Sequence, residues 1–118
     1  MKGILSIVFL SLLIVQDNFT FTNENQKVIL SIDNNAKTLT WEKNSIIKLR
    51  VENIDTKKMT MSAKGIMFMK SDKPTEEVNL SITPKRESFQ NDTLNLHIGF
   101  KNEKNEFIHH KFLILITK

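Results

Sequence analysis

Apolar residues recur at every second position through most of this chain. Between Ser45 and Val51, Ile47, Leu49 and Val51 alternate with Lys48 and Arg50, the period of a strand with one face buried and one in water. Val28, Leu30 and Ile32 predict an earlier strand, Thr38 to Trp41 a short second one, and Met59, Met61 and Ala63 another. Ile66 to Met69 is an apolar run beyond Lys64-Gly65, so these two segments read as a hairpin or a tight β-arch. Val78, Leu80 and Ile82 alternate up to Thr83-Pro84, which ends that strand. Leu94, Leu96, Ile98 and Phe100 form the longest clean alternation, with Asn95, His97 and Gly99 opposite. The last strand, from about Phe107 to Thr117, puts Phe112, Ile114 and Ile116 on one face and Leu113 and Leu115 on the other. A single core covers only one of those faces, so the other needs a loop, the N-terminal segment or a partner.

Polar connections separate the segments. Asp33-Asn34-Asn35 and Asn102 to Asn105 supply turn chemistry, because Asn and Asp bond their own backbone and tolerate left-handed angles. Asn53 to Lys58 and Lys85 to Asp92 read as loops. No segment outside the N-terminal run has a helical period, and short strands at this spacing predict an all-β sandwich of about seven to eight antiparallel strands. Short strands and lysine-rich polar faces favour a sandwich over a lipid-facing barrel.

The N-terminus reads differently. Met1 and Lys2 precede an apolar run from Gly3 to Val15, broken only by Ser6 and Ser11, which is the layout of a secretory signal. The run is short for a membrane span. No small-x-small triplet follows it, so an uncleaved N-terminal anchor is the alternative. Residues 1–22 are therefore read as signal peptide or anchor plus flexible entry, with Asn23 to Gln26 as a polar lead-in, and 23–118 as the sandwich domain. The expected location is periplasmic or secreted, with membrane contact only through an uncleaved leader.

Net charge of +4, with acids and bases intermixed along the chain, gives no focused patch for nucleic acid. There is no cysteine, which removes a disulfide framework and a thiol nucleophile. Three glycines leave no phosphate-cradling loop, and no Gly-x-Ser-x-Gly elbow occurs. His109 and His110 are adjacent, so on a strand they point to opposite faces, and His97 with Glu103 or Glu106 is needed to complete a zinc set. Met59, Met61, Met67 and Met69 flank Gly65; they suit monovalent copper, or more commonly core filling or an adaptable contact surface. Glu76-Glu77 lies beside lysines without an apolar pocket to raise a carboxyl pKa. The expectation is therefore no catalytic residue, no cofactor and no metal site.

One ordered set of signals carries a resemblance. Lys37-Thr38-Leu39-Thr40-Trp41, Asn44 before Ile46, Lys48-Leu49-Arg50-Val51-Glu52, Met59-Thr60-Met61-Ser62 up to Gly65, and Ile82-Thr83-Pro84 follow one another. This order resembles the immunoglobulin-like C-terminal repeats of the GldM family, the periplasmic shaft of gliding motility and type IX secretion. The chain departs from it in carrying Glu42-Lys43 where a glycine usually stands between the aromatic residue and the asparagine. The resemblance implies an immunoglobulin-like sandwich: a non-enzymatic envelope domain whose partners are other envelope proteins. The alternative function is a small carbohydrate- or ligand-binding sandwich with Trp41 and phenylalanines as its platform, which requires Trp41 to be exposed.

Overall fold

The computed structural model describes residues 19–118; the signal or anchor expectation falls on earlier residues and lies outside them. The described residues are all-β, with nine strands in two sheets. The five-stranded sheet has the order β1 (Thr20–Asn23), β2 (Gln26–Ile32), β4 (Ser45–Glu52), β7 (Glu77–Ile82) and β6 (Ile66–Met69). The four-stranded sheet has the order β3 (Leu39–Thr40), β9 (Phe107–Thr117), β8 (Thr93–Lys101) and β5 (Thr60–Ser62). Among the described residues no helix is long and apolar enough to cross a membrane.

The period-two faces become the inside of the molecule. Ile47 and Leu49 on β4, Val28 and Leu30 on β2, and Leu80 and Ile82 on β7 meet Leu94, Leu96 and Phe100 of β8 and Phe112 and Ile114 of β9 in one core. β4 lies at the centre of its sheet, between β2 and β7. Burial of these apolar side chains is the main favourable term in folding, and no disulfide supplements it.

Asparagine does much of the turn work. Asn34, Asn35, Asn53 and Asn105 all take positive φ, a conformation this side chain tolerates better than most. Glu42 also adopts positive φ, at 63°, a conformation uncommon for a residue other than glycine. Local bonds hold it there: its amide donates to the Pro84 carbonyl, and its carboxylate accepts from the Arg86 amide and Lys85 Nζ. The amide bond first, then the Lys85 bond, hold the Glu42 carboxyl below the usual carboxylate range.

Three expectations need correction. Thr20–Asn23, taken as part of a flexible entry, form β1, paired in register with Gln26–Ile29. Phe19 and Phe21 pack against the core, and the hairpin tip is tied down by Asn53 Nδ2 to the Asn25 carbonyl and Asn25 Nδ2 to Glu103. The strands are not all antiparallel, since β3 runs parallel to β9. Of the two readings of the segments around Gly65, hairpin or β-arch, the chain takes the arch: β5 pairs with β8, and β6 pairs with β7 in the other sheet. Finally, the loops read as wholly polar contain packed apolar residues: Ile54 is buried in the core and Phe89 is half-buried against Trp41.

Candidate interaction surface

β9 divides its side chains sharply. Phe112, Ile114 and Ile116 are buried, whereas Leu113 and Leu115 are 58% and 52% exposed. The face left over by the core is thus covered neither by a loop nor by any other described segment. Leu113 stands opposite Asn95 and Leu115 opposite Thr93 on β8, so the two leucines form an apolar strip along polar neighbours.

The backbone of β9 is also only partly used. Ile116 donates its amide to the Asp92 carbonyl, and Asn102 donates to the carbonyl of Glu106. In an antiparallel ladder such pairs alternate along the strand, so the even-numbered residues from Ile108 to Ile116 turn their N–H and C=O toward β8. The odd-numbered residues turn theirs to the other edge. There β3 covers only the end, pairing Leu39 with Ile116 and Thr40 with Thr117, and Trp41 donates to the Thr117 carbonyl. The outward groups of His109, Lys111 and Leu113 meet no described strand.

A groove of about 1010 Å³ runs along this edge. Leu30 and Ile32 of β2 contribute to it, Asn35 to Thr38 form the wall on the way to β3, Phe19 and Thr20 close the β1 side, and Lys111, Leu113 and Leu115 supply the β9 side. β1 pairs with β2 from Gln26 to Ile29 and the Leu30 amide donates to the Phe19 carbonyl; beyond that Leu30 and Ile32 stay buried, and Ser31 is the exposed residue of this part of β2. No carboxylate lines the groove, and among the described residues neither Lys37 nor Lys111 forms an ion pair.

The histidines separate as their strand positions require. His97 and His109 face outward, while His110 points inward and stacks on Phe21 at 4.2 Å, with Phe112 edge-on at 4.6 Å. Burial pushes the His110 imidazole below its ordinary pKa. His97 and His109 line a shallow depression beside Thr60 and Ser62. Glu103 and Glu106 are engaged elsewhere, accepting from Asn25 and Asn102. Among the described residues no group of three or more His, Cys, Asp or Glu is placed to hold a metal.

The methionine quartet is also divided. Met59 is buried and Met61 half-buried on the β5 side, whereas Met67 and Met69 project from β6 in the other sheet, 69% and 46% exposed. Of the paired glutamates, Glu77 is buried and meets Lys48 at 3.3 Å, while Glu76 is exposed. Desolvation alone raises the Glu77 pKa, but bonds from Lys48 and Ser71 outweigh it and the net direction is down. Trp41 is 8% exposed, packed edge-on against Phe89 with the Arg86 guanidinium 5.1 Å from its ring centre.

No protein-family model matches the chain, and neither does any curated protein or solved structure.

Sequence reasoning identified the strip on β9 but missed the groove beside it. The signal for the missing side was present, since Phe19 and Phe21 alternate with Thr20 and Thr22 ahead of Glu24-Asn25. That is a strand followed by a turn, and it was absorbed into the leader.

Proposed function

We propose that this chain is an exported, non-enzymatic envelope domain with an immunoglobulin-like sandwich fold, and that it acts by protein–protein contact through the outer face and open edge of β9. The order of strands supports the fold: β2-β4-β7-β6 and β3-β9-β8-β5 correspond to the ABED and CFG sheets of an immunoglobulin domain. In this correspondence β3 is the part of the first strand that crosses to the second sheet. The left-handed backbone at Glu42 supports the likeness to the GldM-type repeats, since it takes a conformation that a glycine there would adopt freely. Type IX secretion or gliding machinery is the setting that likeness implies.

One observation carries the reading. Leu113 and Leu115 are exposed on a strand whose opposite face is the core, beside an edge whose backbone groups lack a strand partner among the described residues. Exposed apolar strips and unpaired edges are hazards that β proteins ordinarily cover or charge, so a long one that remains open is best explained as a contact. The carbohydrate alternative loses its platform, because Trp41 is buried under Arg86 and Phe89.

A photo-crosslinking residue placed at Leu113 in the native cell tests this reading. The expected result is an exported chain that crosslinks to a discrete envelope protein from position 113 and not from Asn79 on the opposite sheet. Recovery in the cytoplasm, or equal crosslinking from both positions, would contradict it.

A further inference from the structure

We infer that the open β9 edge accepts an extended segment of a partner protein as an added strand, and that this segment alternates apolar and acidic residues. The inference rests on the contact function proposed above and specifies the chemistry of the partner. Three features lead to it.

The first is backbone valence. The outward N–H and C=O groups of His109, Lys111 and Leu113 follow from the alternation fixed at Ile116–Asp92 and Asn102–Glu106. They form a row that only another extended backbone satisfies in full, and main-chain bonding of this kind supplies affinity in strand addition. β3 already occupies the C-terminal end of the same edge, so the incoming segment continues the sheet upstream of Leu39.

The second is the shape of the groove. Side chains of an added strand alternate between two faces. One set points in toward Phe19 and Ala36, partly buried apolar residues of the groove. The other set lies on the outer face beside Lys111 and Leu113. Apolar residues at every second position therefore fit the inner side.

The third is charge, and it decides the occupant. Lys37 and Lys111 border the groove without an ion pair among the described residues, and no carboxylate lines it. A second copy of this chain fits badly. Antiparallel pairing of two β9 edges about the middle of the free stretch sets Lys111 against Lys111, and like charges directly opposite are destabilising. An acidic segment reverses that sign and is also drawn to the site over longer range.

The test uses the chain as isolated from cells and an acetylated, amidated peptide alternating valine and glutamate. Controls are the same composition scrambled and a version with lysine for glutamate. Saturable binding of the alternating acidic peptide, weakened by salt, is expected to shift the amides of His109, Lys111 and Leu113 while those of Phe112 and Ile114 hold. Lys111→Glu is expected to weaken that peptide roughly fivefold, the scale of an exposed charge pair, and to strengthen the lysine version. Leu113→Pro removes an outward N–H without touching the β8 ladder and is expected to abolish binding; should it fail to fold, Lys111→Glu still decides. Equal binding of the scrambled peptide, shifts centred on Met67–Met69, or indifference to Lys111→Glu overturns the inference. If no peptide binds while Leu113 still crosslinks in the cell, strand addition is wrong and the contact reading stands. If the crosslink is absent as well, both fail.

Discussion

The edges at β6 and at β9 differ in kind. β6 is short, and its large apolar side chains project on both sides: Met67 and Met69 flank Phe68, and all three are exposed. Lys64 precedes it and Lys70 follows it, the charged punctuation that blunts a sheet edge against unwanted pairing. β9 is the longest described strand; among the described residues its outward backbone is unpaired from His109 to Leu113, and a groove lies alongside. Exposed hydrophobic area alone favours β6. Backbone valence, shape and charge together favour β9, and a strand-binding site needs all three.

The sharpest way to break the comparison lies within β9 itself. Ile114→Ala should cost about 2–5 kcal/mol of stability, the range for truncating a buried aliphatic side chain. Leu113→Ala, one residue away, should change stability by less than about 0.5 kcal/mol. Urea unfolding of the two variants measures the difference. Equal costs would mean that the outer face is also a packed interior.

Gly99 supplies a middle-sized test. A Cβ at that position would lie 2.6 Å from Phe107 Cζ and 2.7 Å from Thr60 Oγ1, because the Phe107 ring folds over the glycine on the outer face. Gly99→Ala should cost about 1 kcal/mol, near the low end for overpacking, since the half-exposed ring can swing aside. Thermal melts check the cost, and a Phe107 ring that keeps its chemical shifts in the variant would refute the contact.

pH separates the β1 side of the molecule from the carboxylate sites. The folded state holds His110 below its ordinary pKa by burial, so the unfolded chain binds its proton more readily. This stability contribution is complete above the ordinary imidazole value and is lost as pH falls through the lower folded value. Melting temperature should fall between about pH 7 and pH 5, and His110→Phe should flatten the decline. Glu42 and Glu77, both lowered in the fold, contribute above the ordinary carboxylate value and lose that contribution only in stronger acid. The smallest effect is expected at β6, where Met67→Ser should leave stability within about 0.5 kcal/mol and peptide binding at β9 unchanged.

How far the sequence could be read depended on whether each signal was local. The inner residues of β2, β4, β8 and β9 were legible because the period of two is carried by neighbours in the chain. So was the competition between Leu113 and Ile114 for burial. The pairing of β5 with β8 and of β6 with β7 was not, since alternation states which residues share a face and says nothing about which strand lies beside them. β1 was obscured by the apolar run before it. Ile54 and Phe89 stand alone in polar loops, and a single apolar residue has no period. The open edge is the least local property of all, because it depends on β3 beginning only at Leu39, opposite Ile116, so that no described strand lies beside His109 to Leu113.

The most direct test of the central claim needs no partner. Hydrogen exchange of the backbone amides along β9 should alternate in the free chain: slow at Phe112 and Ile114, which face β8, and fast at His109, Lys111 and Leu113, which face no described strand. Uniform slow exchange from His109 to Ile114 would show that the edge is already closed, and would contradict the account.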